Sequence, residues 1–252
     1  MGVVDLKFKP SAQVFDANMT LGRRHDKKVN VDTIGDTIKA MDYSGVDRAL
    51  VYAPHAALHN SDDDNRIILA ASESEPRLVP QFVCNPTFDN LNSFLASVEK
   101  GGVRSVRMFP HLHNYPFEDW VVKPWLNGFA NKKLPLWMKI TEFDRSEFHR
   151  TIKAHPDVTV VLSEVHYSNY SWTMPLLRSL PNLYIEISRF VIHNGILKLI
   201  EAIGENRILF GSNFPESEIG SQLYNLYHCG LDEKSAETIS AGNLDRLLRE
   251  GV

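Results

Sequence analysis

Short apolar runs alternate along this chain with longer amphipathic segments. The runs are VFDANM (14–19), RALVYA (48–53), LVPQFVC (78–84), VRSVRMF (103–109), LPLWMKI (134–140), VTVVLSEV (158–165), NLYIEIS (182–188) and RILFGS (207–212). Most are apolar through successive positions rather than strictly alternating, which suits strands covered on both faces, as in a parallel sheet. The segments between them carry helical spacing. In DTIGDTIKAMDYS (32–44), Ile34, Ile38 and Met41 fall on one face, with Asp32 a candidate N-cap and Gly45 a candidate left-handed terminator. Ser61 stands three residues before Asp64, a spacing that resembles a capping box. Leu91, Phe94, Leu95 and Val98 form one stripe that stops at glycine, and 232–250 reads as helix in pieces, broken near Gly242. Eight strand–helix alternations in 252 residues predict an α/β fold, a single (β/α)8 barrel filling 1–252 as one domain. The rival is an open doubly wound sheet, and the absence of a glycine-rich phosphate loop after the first strand speaks against it.

Composition sharpens this only slightly. The chain is 43% hydrophobic and 23% charged, with a formal net charge of −4 and no long basic run, so neither nucleic acid nor an anionic membrane is an expected partner. Cys84 and Cys229 form no metal-binding or redox spacing and read as idle thiols of a reducing compartment. No apolar leader and no stretch near the roughly 18 apolar residues of a membrane span is present, so a cytoplasmic protein with a small-molecule partner is expected. Association of copies through barrel helices is a general expectation for such folds.

The candidate chemistry lies at one end of the predicted strands. Of ten histidines, His55, His59, His111, His113, His166 and His193 lie at or beyond a strand end, together with Asn18, Thr20, Arg107, Lys139, Glu164, Glu186, Arg189, Asn213 and Glu216. In a (β/α)8 barrel that rim is where ligands bind. Any one such histidine is most simply a polar loop residue; the group suggests a ligand site. The period of two gives Glu164 and His166 a shared side, as it does Asn18 and Thr20. A carboxylate at the inward tip of a strand requires water or a cation, and Lys139 at the end of the preceding strand is the obvious partner. Tyr115, Phe117, Trp120 and Tyr167 are candidates to wall an apolar pocket or, more simply, to pack loops on the barrel.

FDANMTLGRR near the start, GGVRSVRMFPH on the fourth strand, NRILFGSNFPE on the eighth and the terminal GNLDRLL together resemble the amidohydrolase-related proteins of the amidohydrolase superfamily, in the group containing decarboxylases of aromatic acids and lactone hydrolases. The resemblance covers nearly the whole chain, and RILFGSNFP is its most specific piece. It implies a (β/α)8 barrel with a divalent metal at the mouth, held by a first-strand HxH pair, histidines ending strands five and six, and an aspartate ending strand eight. In this sequence those places fall on Asn18 and Thr20, Lys139, Glu164 and Asn213, so none keeps the expected residue.

Neutral amide and hydroxyl oxygens are weak zinc ligands, and a protonated lysine has no lone pair. The expectation is therefore no metal at the family positions, with the Lys139 ammonium beside Glu164 in its space. A displaced zinc-like site using His111, His113, Glu164 and His166 is the alternative, although Lys139 would lie between its two strands. For function, the residues support a metal-independent hydrolase or lyase acting on a small carboxylate or lactone. Glu164 or His166 would be the base, Lys139 an electrostatic stabiliser and Asn213 an oxyanion donor. Asn18, Thr20, Arg107, His111, His113 and Arg189 would contact substrate. A lysine Schiff base is a further option, opposed by the pairing with Glu164. The other class is a non-catalytic binding or scaffolding relative, in which Lys139–Glu164 merely fills an emptied hole. An open cavity around the pair favours the enzyme; a sealed pair favours the other.

Overall fold

The computed structural model describes residues 8–24, 28–58 and 61–250. Eight parallel strands form the barrel: β1 (Phe15–Thr20), β2 (Arg48–Tyr52), β3 in two pieces (Leu78–Pro80 and Phe82–Cys84), β4 (Val106–Met108), β5 (Leu136–Lys139), β6 (Val160–Ser163), β7 (Leu183–Glu186) and β8 (Ile208–Leu209). Hydrogen bonding runs β1-β2-β3 through the first piece of β3 and from its second piece on through β8. Gln81 N–H, donating to Val51 O at 2.9 Å, carries the wall across the break. The barrel closes where Ala17 N–H donates to Phe210 O and Asn213 N–H to Asn18 O, both at 2.9 Å. All eight predicted strands are present, and all but β1 are shorter than their apolar runs.

Helices α1 (Ile34–Ser44), α2 (Ser61–Ser74), α3 (Leu91–Lys100), α4 (Asp119–Asn131), α5 (Arg145–Ala154), α6 (Tyr170–Ser179), α7 (Gly195–Ile203) and α8 (Ile219–Tyr227) follow the strands in turn. The amphipathic pattern explains their faces: α3 buries Phe94 and Val98, and α1 buries Met41. Two capping expectations need correcting. Thr33, not Asp32, caps α1, because its side chain accepts the Asp36 amide. Ser61 lies inside α2, and its hydroxyl donates to Asp89 Oδ2 at 2.9 Å instead of capping. Gly45 does end α1, at φ 78°.

The chain then runs through α9 (Glu233–Glu237), a π-helical turn at Thr238–Gly242 and α10 (Asn243–Arg249); the break expected near Gly242 is instead one wide turn in a helix that continues, with Gly242 at φ −56° and ψ −41°. This segment closes the base of the barrel. Ala241, Leu244, Leu247 and Leu248 cluster with Phe15, Ala17, Leu50, Trp137, Val161 and Leu209, giving the lumen a dry lower layer. Among the described residues no helix is long and apolar enough to cross a membrane. Both thiols are free: Cys84 is buried and Cys229 half-buried.

Candidate active site

Above the apolar layer the lumen becomes polar. The Arg107 guanidinium, with no exposure to solvent, lies across the barrel. Its Nε donates to Gln81 Oε1 at 2.6 Å, Nη2 to Asn18 Oδ1 at 2.9 Å and Nη1 to Ser163 Oγ at 3.5 Å. Its carbon sits 4.1 Å from the centre of the Tyr52 ring. A register shift in β1 between Asp16 and Met19, a bulge of the kind that re-aims a side chain, precedes this contact. Asn18 also donates from Nδ2 to Glu186 Oε1 at 3.2 Å. Glu186 further accepts the Glu164 amide at 2.6 Å, the Ser188 amide at 2.7 Å and the Ser188 hydroxyl at 2.8 Å. Burial pushes the Glu186 carboxyl up, against the lowering effect of these donors. A buried charge is tolerated when its hydrogen bonds are made, and this layer makes them. Gly211 lets the carboxylate approach: a Cβ there would lie 2.4 Å from Glu186 Oε2.

A cavity of about 660 Å³ opens at the C-terminal ends of the strands. Its apolar lining includes Tyr52, Ala57, Leu58 and Phe109, which pack as one cluster. Its polar lining includes Lys139, Glu164, Arg189, Asn213, Glu216 and Arg24. Lys139 Nζ lies 2.9 Å from Glu164 Oε2, and Arg189 Nη1 lies 3.9 Å from the same oxygen. Arg24 pairs with Glu216 at 2.9 Å. Glu142 and His111 complete the wall. Burial raises the Glu142 carboxyl and pushes the Tyr52 phenol up to about 12. A larger open groove, about 930 Å³, lies on the outer wall between α2 and α3, away from the strand ends where this polar cluster gathers.

The structure sorts the sequence candidates. It brings together Lys139, Glu164, Arg189, Asn213, Glu216 and His111 around the cavity. Asn18, Arg107 and Glu186 are buried and absent from its lining, with Asn18 bonded to both of the others, and do not grip a substrate there. Thr20 is buried, its hydroxyl without a hydrogen-bond partner, and does not line the cavity. The shared side expected for Glu164 and His166 does not survive. β6 ends at Ser163, and Glu164 takes φ 55°, breaking the strand alternation. His166 instead caps the next turn, with Nδ1 3.0 Å from Ser168 Oγ. His113 turns its Nε2 to Ala56 O at 3.1 Å, and burial lowers its pKa. His55 and the exposed His193 do not line the cavity, and His59 lies outside the described residues. Tyr115 and Phe117 are buried packing, whereas Trp120 and Tyr167 are exposed.

Sequence reading missed Tyr52, Phe109, Arg24 and Glu142 as cavity residues. The first two had a signal, since each follows an inward residue of its strand by two positions. Glu142, in a loop after β5, had none.

A divalent metal does not fit the residues present. Both ends of the Asn18 amide are taken by Arg107 and Glu186. Thr20 is buried outside the cavity lining, Lys139 presents an ammonium, and Asn213 an amide. The displaced set is not assembled either: among the described residues no group of three or more His, Cys, Asp or Glu could hold a metal ion.

The Amidohydrolase family model matches residues 27–231. The chain belongs to the amidohydrolase family. The matched stretch begins after β1, so the reading of Asn18 and Thr20 rests on the fold. A comparison with curated proteins found no match. Among solved structures, a 5-carboxyvanillate decarboxylase from Novosphingobium aromaticivorans, complexed with manganese and 4-hydroxy-3-methoxy-5-nitrobenzoic acid, superposes at TM-score 0.78. Its identity is 10%, and the match covers 95% of this chain and 96% of that one. A 2,6-dihydroxybenzoate decarboxylase from Rhizobium matches at 0.74 and 12%, covering 95% and 99%. A putative 2-pyrone-4,6-dicarboxylic acid hydrolase from Pseudomonas putida matches at 0.71 and 15%, covering 94% and 97%. At these identities the likeness is one of fold, and it is the (β/α)8 barrel.

Proposed function

We propose that this family member is a metal-independent hydrolase of a small lactone or ester that carries a carboxylate. One observation carries the reading: the Lys139–Glu164 pair lines an open cavity, with a second cation, Arg189, at the same carboxylate oxygen. An ion pair that only filled a hole would need no cavity beside it. The mixed lining supports the ligand class, because it offers an unsaturated body the Tyr52–Phe109 cluster and an anionic end the Arg189 guanidinium. The named substrates of the decarboxylase and hydrolase neighbours, small ring compounds with carboxylates, agree in kind.

In this reading Glu164 is the general base. Lys139 and Arg189 hold its Oε2, and Oε1 takes the proton of an attacking water. Lys139 and the Asn213 amide stabilise the negative charge that develops on the acyl oxygen. No step passes through a metal, since the donor set does not suit one.

The test is a panel of lactones and aryl esters, with and without a carboxylate, assayed on chelator-treated protein. Turnover that survives EDTA, prefers carboxylate-bearing substrates and falls about a hundredfold or more in Glu164→Gln is expected. Turnover that needs added manganese or zinc, or that ignores the substitution, overturns the proposal. Saturable carboxylate binding with no turnover on any substrate would make the chain a binding relative instead.

A further inference from the structure

The geometry points to Glu142 as the second carboxyl of the reaction, the group that hands a proton to the leaving oxygen while Glu164 takes one from water. This rests on the hydrolase reading above and adds a residue to which neither the sequence pattern nor the family positions assign a role.

Glu142 is fixed from three directions. Its own N–H donates to Lys139 O at 3.0 Å, one turn back along the loop after β5, and its carbonyl accepts the His111 N–H at 3.2 Å. Its side-chain Oε2 accepts the Leu112 N–H at 3.1 Å. The residue is 4% exposed and lines the cavity. The His111 N–H is a second backbone neighbour of the carboxyl, which lines the same cavity as Glu164. A glutamate pinned at its backbone N–H, its carbonyl and its carboxyl on a cavity wall has the held geometry that proton donation requires.

The two carboxyls meet different surroundings. Glu164 has the Lys139 ammonium at 2.9 Å and Arg189 Nη1 at 3.9 Å, the two cations that hold the base in place. Among the described residues Glu142 makes no salt bridge and is held by backbone amides instead. The charged and titratable groups around it are His111 from the loop after β4, Lys139 at the end of β5, Arg107 below the floor and the buried Tyr115 phenol. Burial outweighs the nearby cations and raises the Glu142 carboxyl above the usual range, which suits the protonated form and hence the acid. Two carboxyls on one cavity, one held by cations and the other by backbone amides and burial, are in surroundings different enough to divide the base and acid roles.

The step balances without a further reactant. Water's oxygen bonds to the acyl carbon as its proton passes to Glu164. The acyl carbon–oxygen bond then breaks, and the departing oxygen takes the Glu142 proton. The products are a carboxylic acid and an alcohol. One proton passing through solvent from Glu164 to Glu142 restores the start.

Glu142→Gln is the variant of choice, because the amide oxygen can still accept from Leu112 and the loop keeps its anchor. Wild type and variant are compared on two esters of one carboxylate-bearing acid, one with an alkyl alcohol and one with 4-nitrophenol as leaving group. A proton donor matters for the poor leaving group and little for the good one. The expected result is a loss of about a hundredfold in kcat/KM on the alkyl ester and under tenfold on the 4-nitrophenyl ester. The fall in wild-type rate at high pH, where Glu142 loses its proton, should vanish in the variant. Glu164→Gln should lose both esters alike. Equal losses on both esters in Glu142→Gln, or an unchanged pH profile, overturn the assignment.

A readout independent of turnover separates this from failure of the hydrolase reading. In resting protein labelled with carboxyl-¹³C glutamate, the signal absent from Glu142→Gln should titrate above the ordinary carboxylate range. Titration in the ordinary range overturns the assignment whatever the esters do. High titration in a protein that turns over no ester supports a proton-donating Glu142 while removing the hydrolase.

Discussion

Replacing Gly211 with alanine tests the buried floor of the site most directly. A Cβ at that position would stand 2.4 Å from Glu186 Oε2, 3.2 Å from the carboxyl carbon and 3.3 Å from Asn18 Cβ. The first distance is too short for any real contact, so the carboxylate has to move. It is not the loose end of a flexible side chain: it accepts from Glu164 N–H, Ser188 N–H, Ser188 Oγ and Asn18 Nδ2. Hydrogen bonds to a charged acceptor contribute about 1.5–3 kcal/mol each, so disturbing one or two gives an expected loss of about 2–5 kcal/mol. Urea denaturation with an unchanged m-value measures it. The decisive comparison adds Glu186→Ala, whose shortened side chain vacates the space the new methyl needs. The double variant should then be at least about 1 kcal/mol more stable than the sum of the two single effects. A cost below about 0.5 kcal/mol for Gly211→Ala, or strict additivity of the pair, would refute the view that this carboxylate is pinned against the backbone after β8.

Two further outcomes follow from the same structure. Burial pushes the Asp16 carboxyl from 3.8 up to about 7, so this group favours the folded state most below pH 4, and that contribution is lost as pH rises through 7. At 1.36 kcal/mol per unit, wild type should lose about 3 kcal/mol relative to Asp16→Asn between pH 5 and pH 8; a flat difference in denaturation midpoints across that range would return Asp16 to ordinary behaviour. At the base of the barrel, Leu247→Ala removes a 5%-exposed side chain from the plug under Phe15, Leu50 and Trp137, with an expected loss of about 2–5 kcal/mol. A calorimetric melt unchanged within a degree would show that α10 is not needed to close the lumen.

The barrel was legible in the sequence because its signal is repeated. Each of eight apolar runs became a strand or strand pair, and one slip in a boundary does not alter the count. The site was legible only where a residue's strand register survived to the mouth. Lys139 continues β5, and its pairing with Glu164 could be read from adjacent strand ends. Glu164 reached the cavity by a different route, since the left-handed backbone at φ 55° comes after the strand has ended, and that turn is what sends His166 away. Arg107 could not be placed by type alone: an arginine at an inward strand position serves equally as a substrate grip or a buried brace. Its depth decided the matter, with Gln81, Asn18 and Ser163 already meeting its donors. Glu142 lies on a loop held by backbone amides of another loop, a relation between residues about thirty positions apart that no local pattern encodes.

The interlocked floor also shows how unevenly one side chain can be shared. Asn18 serves Arg107 and Glu186 at once, accepting from one and donating to the other. Shortening it to alanine would deprive Arg107 Nη2 of its acceptor in a buried layer, whereas Glu186 Oε1 would keep the Glu164 N–H and the Ser188 hydroxyl. The weight of the floor therefore rests on the cation rather than on the carboxylate, and Asn18 is the residue whose loss it would register first.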